Sequence, residues 1–283
     1  MRRILLLLIL AGCTGDVEKK ALLLLQKNRP MEAILLLEGS DSPKALWLRA
    51  KIYFKIDHPT DALKALKKLI KKDPSYKGKV VSLLYEEAEK LRRRGRKEAS
   101  CRLFSEILSL DPTHDLGKNF IYLASWYYDR EKYDMAIPLF EKGLYIEPEN
   151  VDARVKLAYA YWRLGKKEEA LHVVESGITR KMEWQLLYLK GKFSFEIAMD
   201  LIKEGKGEDA MIYLQKTIAT GLPEVYQDDA FFYLGEIYLS KGKYKEAKVC
   251  MRKVIELNPF TRGRKIVREA EKVLETIEKM EGG

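Results

Sequence analysis

The chain has 283 residues, 47% of them apolar and 33% charged, which is enough to bury a core and too apolar for a disordered chain. Nine prolines and 18 glycines exclude collagen-like and Pro/Gly-rich classes; three cysteines exclude a disulfide-built scaffold, and three histidines leave little for a His-rich metal site. Lys and Arg total 52 against 42 Asp and Glu, a net charge of +10.

Arg2 and Arg3 precede an unbroken apolar run from Ile4 to Leu10. As a helix that run covers only about 10 Å against a hydrocarbon core of about 30 Å, so it cannot span a bilayer. It has the length of a signal-peptide core. Leu10-Ala11-Gly12-Cys13 follows, and this box resembles the lipobox of bacterial lipoproteins. The resemblance implies a signal peptide over residues 1–12, removed in the mature protein, and a short lipidated N-terminus over 13–15. Cys13 would carry the diacylglycerol and palmitate-type chains that hold the protein to a membrane of the cell envelope. Thr14 in place of Asp resembles outer-membrane sorting, which places the protein on the periplasmic face of that membrane rather than at the inner one. Without Arg2 and Arg3 the net charge of +10 falls to +8.

From residue 16 onward small residues recur in pairs: Ala21/Ala33, Ala50/Ala62, Ala88/Ser100, Ala124/Ala136, Ala158/Ala170 and Gly235/Ala247, each 12 residues apart. Apolar residues flank each member at helical spacing, as in Leu84, Ala88 and Leu91. Gly95, Gly165, Gly205 and Gly242 stand five residues before a second member. The pattern predicts two helices joined by a tight turn and crossing closely at the small side chains. Pro74, Pro112, Pro148 and Pro259 punctuate the end of the second helix, since proline cannot donate the bond that continues it. One unit departs: Gly191 and Ala210 are 19 apart, which adds about two turns to its first helix, with Ala198 as the alternative crossing residue.

These units resemble tetratricopeptide repeats, whose period is about 34 residues. The best copy is Phe231-Phe232-Tyr233-Leu234-Gly235-Glu236-Ile237-Tyr238 with Ala247 and Pro259; Phe120 to Pro148 is nearly as good, with Ala124 where glycine is preferred. The resemblance implies an all-α fold, a right-handed superhelical solenoid of six to seven helical hairpins over residues 16–261. A C-terminal capping helix and tail over 262–283 would close it, with Ile266, Ala270, Val273, Leu274 and Ile277 opposite Arg268, Glu271, Glu275 and Glu278.

Little in the chain points to chemistry. Gly205-Lys206-Gly207 lacks the preceding strand a dinucleotide site needs. His58, His114 and His172 stand in separate units without a second ligand one turn away, and Cys101 and Cys250 lie in distant units. No nucleophile–base pair is visible. The expectation is a noncatalytic protein without cofactor or metal.

Two surface patterns remain. Lys64, Lys67, Lys68, Lys71 and Lys72 crowd one second helix, which reads either as a solvated face or as a basic patch at a membrane surface. The basic turn Arg92-Arg93-Arg94-Gly95-Arg96-Lys97 reads the same two ways. Nucleic acid, the usual partner of such a charge, does not fit an envelope address. In tetratricopeptide proteins the first helices line a concave groove. At the stripe positions facing it stand Trp47, Phe54, Tyr85, Tyr128, Tyr159, Trp162, Tyr188, Phe195 and Phe232. These are nine aromatics among 24 positions, where the chain-wide 10% gives two or three. Such rings beside lysine and arginine mark protein-binding hot spots, though rings at these positions also pack against adjacent repeats. The implied function is a lipid-anchored scaffold or adaptor holding a protein or peptide segment in an envelope assembly, of the kinds that serve pilus biogenesis, outer-membrane assembly or protease recruitment. The alternative is a scaffold for polysaccharide export or cell-wall binding, because a glycan ring also stacks on Trp and Tyr.

Overall fold

The pairing of small residues predicts where helices cross, and the computed structural model places each pair at such a crossing. It describes residues 14–178, 183–259 and 265–282; Cys13 and the leader lie outside the described residues. Among the described residues there are 15 α-helices, two short 3₁₀ turns and no strand. None of these helices is long and apolar enough to cross a membrane.

The helices form two compact units, divided between Leu116 and Gly117. The first holds three hairpins: α1 (Thr14–Gln26) with α2 (Pro30–Glu38), α3 (Pro43–Lys55) with α4 (Pro59–Lys72), and α5 (Lys77–Arg93) with α6 (Lys97–Leu110). The second holds four: α7 (Asn119–Tyr128) with α8 (Tyr133–Ile146), α9 (Val151–Arg163) with α10 (Lys167–Gly177), α11 (Trp184–Lys203) with α12 (Gly207–Thr220), and α13 (Gln227–Ser240) with α14 (Tyr244–Leu257). The helix α15 (Lys265–Gly282) packs on the last of them.

Both members of every predicted pair are buried. Ser100 shows how near the backbones come: its Oγ donates to the Ala88 carbonyl on the partner helix at 2.8 Å. A Cβ on Gly235 would stand 3.1 Å from the Cys250 Cβ and 2.7 Å from the Met251 methyl. Larger residues seal the layers between crossings; Leu66, Leu84, Phe104 and Phe193 are fully buried, each worth about 1.5–3 kcal/mol.

One turn geometry serves all seven hairpins. The residue five before the second small residue takes the left-handed conformation: Gly95, Gly165, Gly205 and Gly242, but also Asn28 (φ 55°), Asp57 (φ 61°) and Glu131 (φ 58°). The next residue then donates its N–H back into the first helix, as from Arg96 to the Leu91 carbonyl at 2.9 Å and from Lys132 to Tyr127 at 3.1 Å. This closes the last orphan carbonyls of the first helix. At the other hinge, Asp73 and Asp111 cap the segment after the second helix, each accepting the backbone N–H two residues on.

The long α11 settles the irregular unit in favour of Ala198. Ala198 and Ala210 are both fully buried, 12 residues apart, and share one cluster with Leu214 and Ala230. Gly191 serves another purpose: a Cβ there would lie 1.6 Å from the Leu222 carbonyl oxygen. The extra two turns therefore extend α11 at its N-terminal end. The α15 helix buries Val267, Ala270 and Ile277, and Ala270 packs with Phe232, Met251 and Val254, flanked by Ile266, Val273 and Leu274.

Candidate functional site

In the second unit the first helices α7, α9 and α11 touch in succession, so the faces they share form one continuous surface. Tyr128, Tyr159 and Trp162 lie along it, each half-buried. Trp162 stacks on Phe193 of the next hairpin, with centroids 4.1 Å apart and planes at 10°. Tyr159 meets the same Phe193 edge-on at 5.6 Å, and Tyr128 leans on Tyr133 and Phe140 of its own hairpin. The exposed parts of these rings are met by cations: Lys156 stands 5.9 Å from the Tyr128 centroid, Lys192 6.0 Å from Tyr159, and Lys167 5.0 Å from Trp162. Burial raises the Tyr128 phenol, with Arg163 beside it acting in the opposite sense. Lys192 has Glu196 at 3.9 Å, whereas Lys156 and Arg163 have no carboxylate partner among the described residues. Further along, on α13, burial and then the Glu269 carboxylate raise the Glu236 carboxyl.

The remaining predicted rings divide. Phe54, Phe195 and Phe232 are only 8% exposed. Phe195 stacks on Tyr226 at 4.6 Å, and Phe232 packs with Met251, Val254 and Ala270. Placed in the interior, these three offer no surface to a partner, which corrects the expectation from the stripe. Trp47 against Tyr76 and Tyr85 between Phe104 and His114 are half-buried in the first unit. Tyr188, at 39%, is the most open of the nine.

The five lysines of α4 are all exposed, and three of them meet acids: Lys64 with Asp61 at 3.1 Å, Lys67 with Glu106 at 2.8 Å, and Lys68 with Asp41 at 2.6 Å. The hydrogen bond from Lys68 holds the Asp41 carboxyl below its usual range. Lys71 and Lys72 have no carboxylate within ion-pair distance among the described residues. The basic turn is similarly answered, by Glu89 for Arg92 and Arg93 and by Asp57 for Arg96. Beside that turn a cleft of about 670 Å³ opens, lined by Asp57, His58, Arg96 and Arg102, and its charges are already paired. No group of three His, Cys, Asp or Glu among the described residues is placed to hold a metal ion.

Three family models, each described as a tetratricopeptide repeat, match residues 44–76, 127–187 and 228–260. The chain carries tetratricopeptide repeats. A TPR repeat-containing protein of Methanocaldococcus jannaschii is 26% identical over 185 residues, which is 56% of this chain and 32% of that protein. The transcription factor tau 131 kDa subunit of Saccharomyces cerevisiae is 33% identical over 97 residues, 34% of this chain and 9% of that subunit. The chain thus spans a third or less of these curated relatives. The crystal structure of a TPR repeats protein from Bacteroides fragilis matches with a TM-score of 0.50 at 14% identity, over 71% of this chain and 98% of that one, which shows a shared fold alone.

Within the repeats, three residues of the surface escaped the stripe rule. Lys156 is three residues, and Arg163 four, from Tyr159, so a stripe drawn one residue wider includes both. Trp184 begins the extension of α11, one turn before Tyr188, and is 65% exposed. It stands one residue before Gln185, the first position of the stripe keyed to Gly191, and so falls just outside it.

Proposed function

We propose that this protein is a noncatalytic adaptor, tethered by lipid on Cys13 to a bacterial envelope membrane, that holds an extended protein segment against the surface of α7, α9 and α11. The observation that carries this reading is the pair of unpartnered cations, Lys156 and Arg163, set beside half-open rings of Tyr128, Tyr159 and Trp162. An acidic side chain is the group those cations lack, and the rings supply apolar area around it, the composition of a binding hot spot. Glu236 on α13 asks for the opposite charge, so the segment runs with its acidic part over α9 and its basic part toward α13.

Affinity purification of the lipidated protein tests both halves. Lys156→Glu with Arg163→Glu is expected to lower partner capture by about 10- to 100-fold, more so at low salt, with the helical melt unchanged. Retention of every partner by this variant refutes the surface. Capture of neutral glycan fragments that ignores the charge reversal and the salt selects the polysaccharide reading instead. Cys13→Ser tests the anchor: labelled palmitate is expected in the wild type only, and equal labelling of the two removes it.

A further inference from the structure

The two ends of the repeat series are finished in different ways. The last hairpin is covered by α15, which buries Val267, Ala270 and Ile277 and turns Arg268, Glu271, Lys272 and Glu275 to solvent. That is the polar end a stack of repeats needs to stay soluble. The first hairpin has no such cover among the described residues. It buries Ala21, Ala33, Ile34 and Leu37 on its inner side, yet Leu22 is 47% exposed, Leu23 54%, Met31 59% and Leu35 65%. Met31 and Leu35 stand one turn apart on α2, and Leu22 and Leu23 share the outward side of α1 with Lys19.

Basic residues rim this apolar face. Lys19, in the middle of α1 beside Leu22 and Leu23, and Lys27, just after its last residue, are both exposed. Lys68 of α4 grips Asp41 just after α2, which brings Lys71 and Lys72, both without carboxylate partners, to the side where α2 ends. Long basic side chains around exposed leucines are the pattern of a helix surface lying in a bilayer interface, the stems in the apolar layer and the ammonium groups among headgroups.

We infer that the outer face of the first hairpin, Leu22, Leu23, Met31 and Leu35, rests on an anionic lipid bilayer. The inference rests on the lipid-anchored reading above. Removal of residues 1–12 leaves Cys13 directly before Thr14, the first residue of α1, so an acylated Cys13 delivers the hairpin to the bilayer without a linker. The same removal takes away the leader's own apolar run as a cover for the leucines. Anionic headgroups answer the lysine rim, which a second copy of the same positive face would repel.

The test is photocrosslinking from p-benzoylphenylalanine at Leu35, with Val249 on α14, 58% exposed, as the control position. The full chain, matured in a bacterial host, is placed in vesicles of phosphatidylethanolamine with a quarter phosphatidylglycerol, and acylation of Cys13 is read by mass in the same sample. Phospholipid adducts are expected several-fold more often at position 35 than at 249. Adducts of twice the chain mass make the face a contact between copies and overturn the inference, as do adducts to another protein or to the chain's own leader. An acylated chain without lipid adducts at 35 overturns it and leaves the anchor standing. Lipid adducts on an unacylated chain remove the anchor and keep the face; neither acylation nor adducts removes both.

Discussion

Gly191→Ala isolates one contact in the second unit. Gly191 lies within α11, where alanine is the better helix former by about 1 kcal/mol, so on an open helix face the exchange stabilises. Here the added Cβ would sit 1.6 Å from the Leu222 carbonyl oxygen and 2.7 Å from its carbon. Both atoms are backbone, so relief requires the segment between α12 and α13 to retreat from α11 by more than 1 Å. That retreat also loosens the bond from Thr217 Oγ1 to the Gly191 carbonyl, 3.2 Å long. Overpacking of this kind costs about 3 kcal/mol at the upper end of its usual range, leaving a net loss of about 2 kcal/mol after the helix gain. For a unit of this size the melting temperature falls by about 4–8 °C, read by circular dichroism. Gly78→Ala is the control: it stands near the start of α5 with nothing within 4 Å of the added Cβ, and it is expected to gain up to about 1 kcal/mol. A Gly191→Ala protein as stable as the wild type, or more so, refutes the close approach.

Two further outcomes follow from the turns and the ion pairs. Glu131→Gly is expected to stabilise the α7–α8 hairpin by about 0.5–1 kcal/mol in a urea melt, because glutamate at φ 58° carries a steric strain that glycine lacks; no gain would mean the strain is already relieved. The Tyr161 hydroxyl donates to Glu141 at 2.5 Å, and burial together with that carboxylate pushes the phenol up to about 12. Its folded value lies above the unfolded one, so its contribution to stability is complete below pH about 10 and is lost as the pH rises toward about 12. Phenolate absorbance should show a late-titrating component, to which Tyr128 and Tyr233 also contribute through burial, and Glu141→Gln is expected to lower only the share of Tyr161; an unchanged titration counts against the pair.

The helix crossings were legible because they rest on volume. Where two backbones approach closely only a small residue fits, so a fixed offset of 12 between small residues carries the geometry directly. The turns were half legible: glycine announces a left-handed residue, whereas Asn28, Asp57 and Glu131 occupy that conformation under strain and betray it only by their distance from the crossing residue. Two partners of the lysine row of α4 are far away in sequence, Asp41 being 27 residues before Lys68 and Glu106 lying on α6 opposite Lys67, so the row's pairing could not be read from its own helix. The rings were the least legible. A stripe position fixes which way a side chain leaves its helix, but exposure depends on what the next hairpin puts there. Phe193 under Trp162 and Tyr226 over Phe195 decide that, and neither belongs to the stripe.

That division has a consequence for how the surface works. Trp162 is held between Phe193 and Lys167, so its ring joins two hairpins before any partner arrives. Removing such a ring costs cohesion and binding together, since the face it stacks on Phe193 is lost along with the face it offers a partner. The cations are different. Arg163 is exposed and Lys156 half-buried, neither with a carboxylate partner among the described residues, and their reversal alters the field of the surface while the packing of Phe193 beneath it stays intact. The rings therefore act as a stiff floor that fixes the spacing of the charges, and the charges choose what lies on it. A partner selected in this way pays little to order the surface, because the aromatic contacts are already made in the free protein.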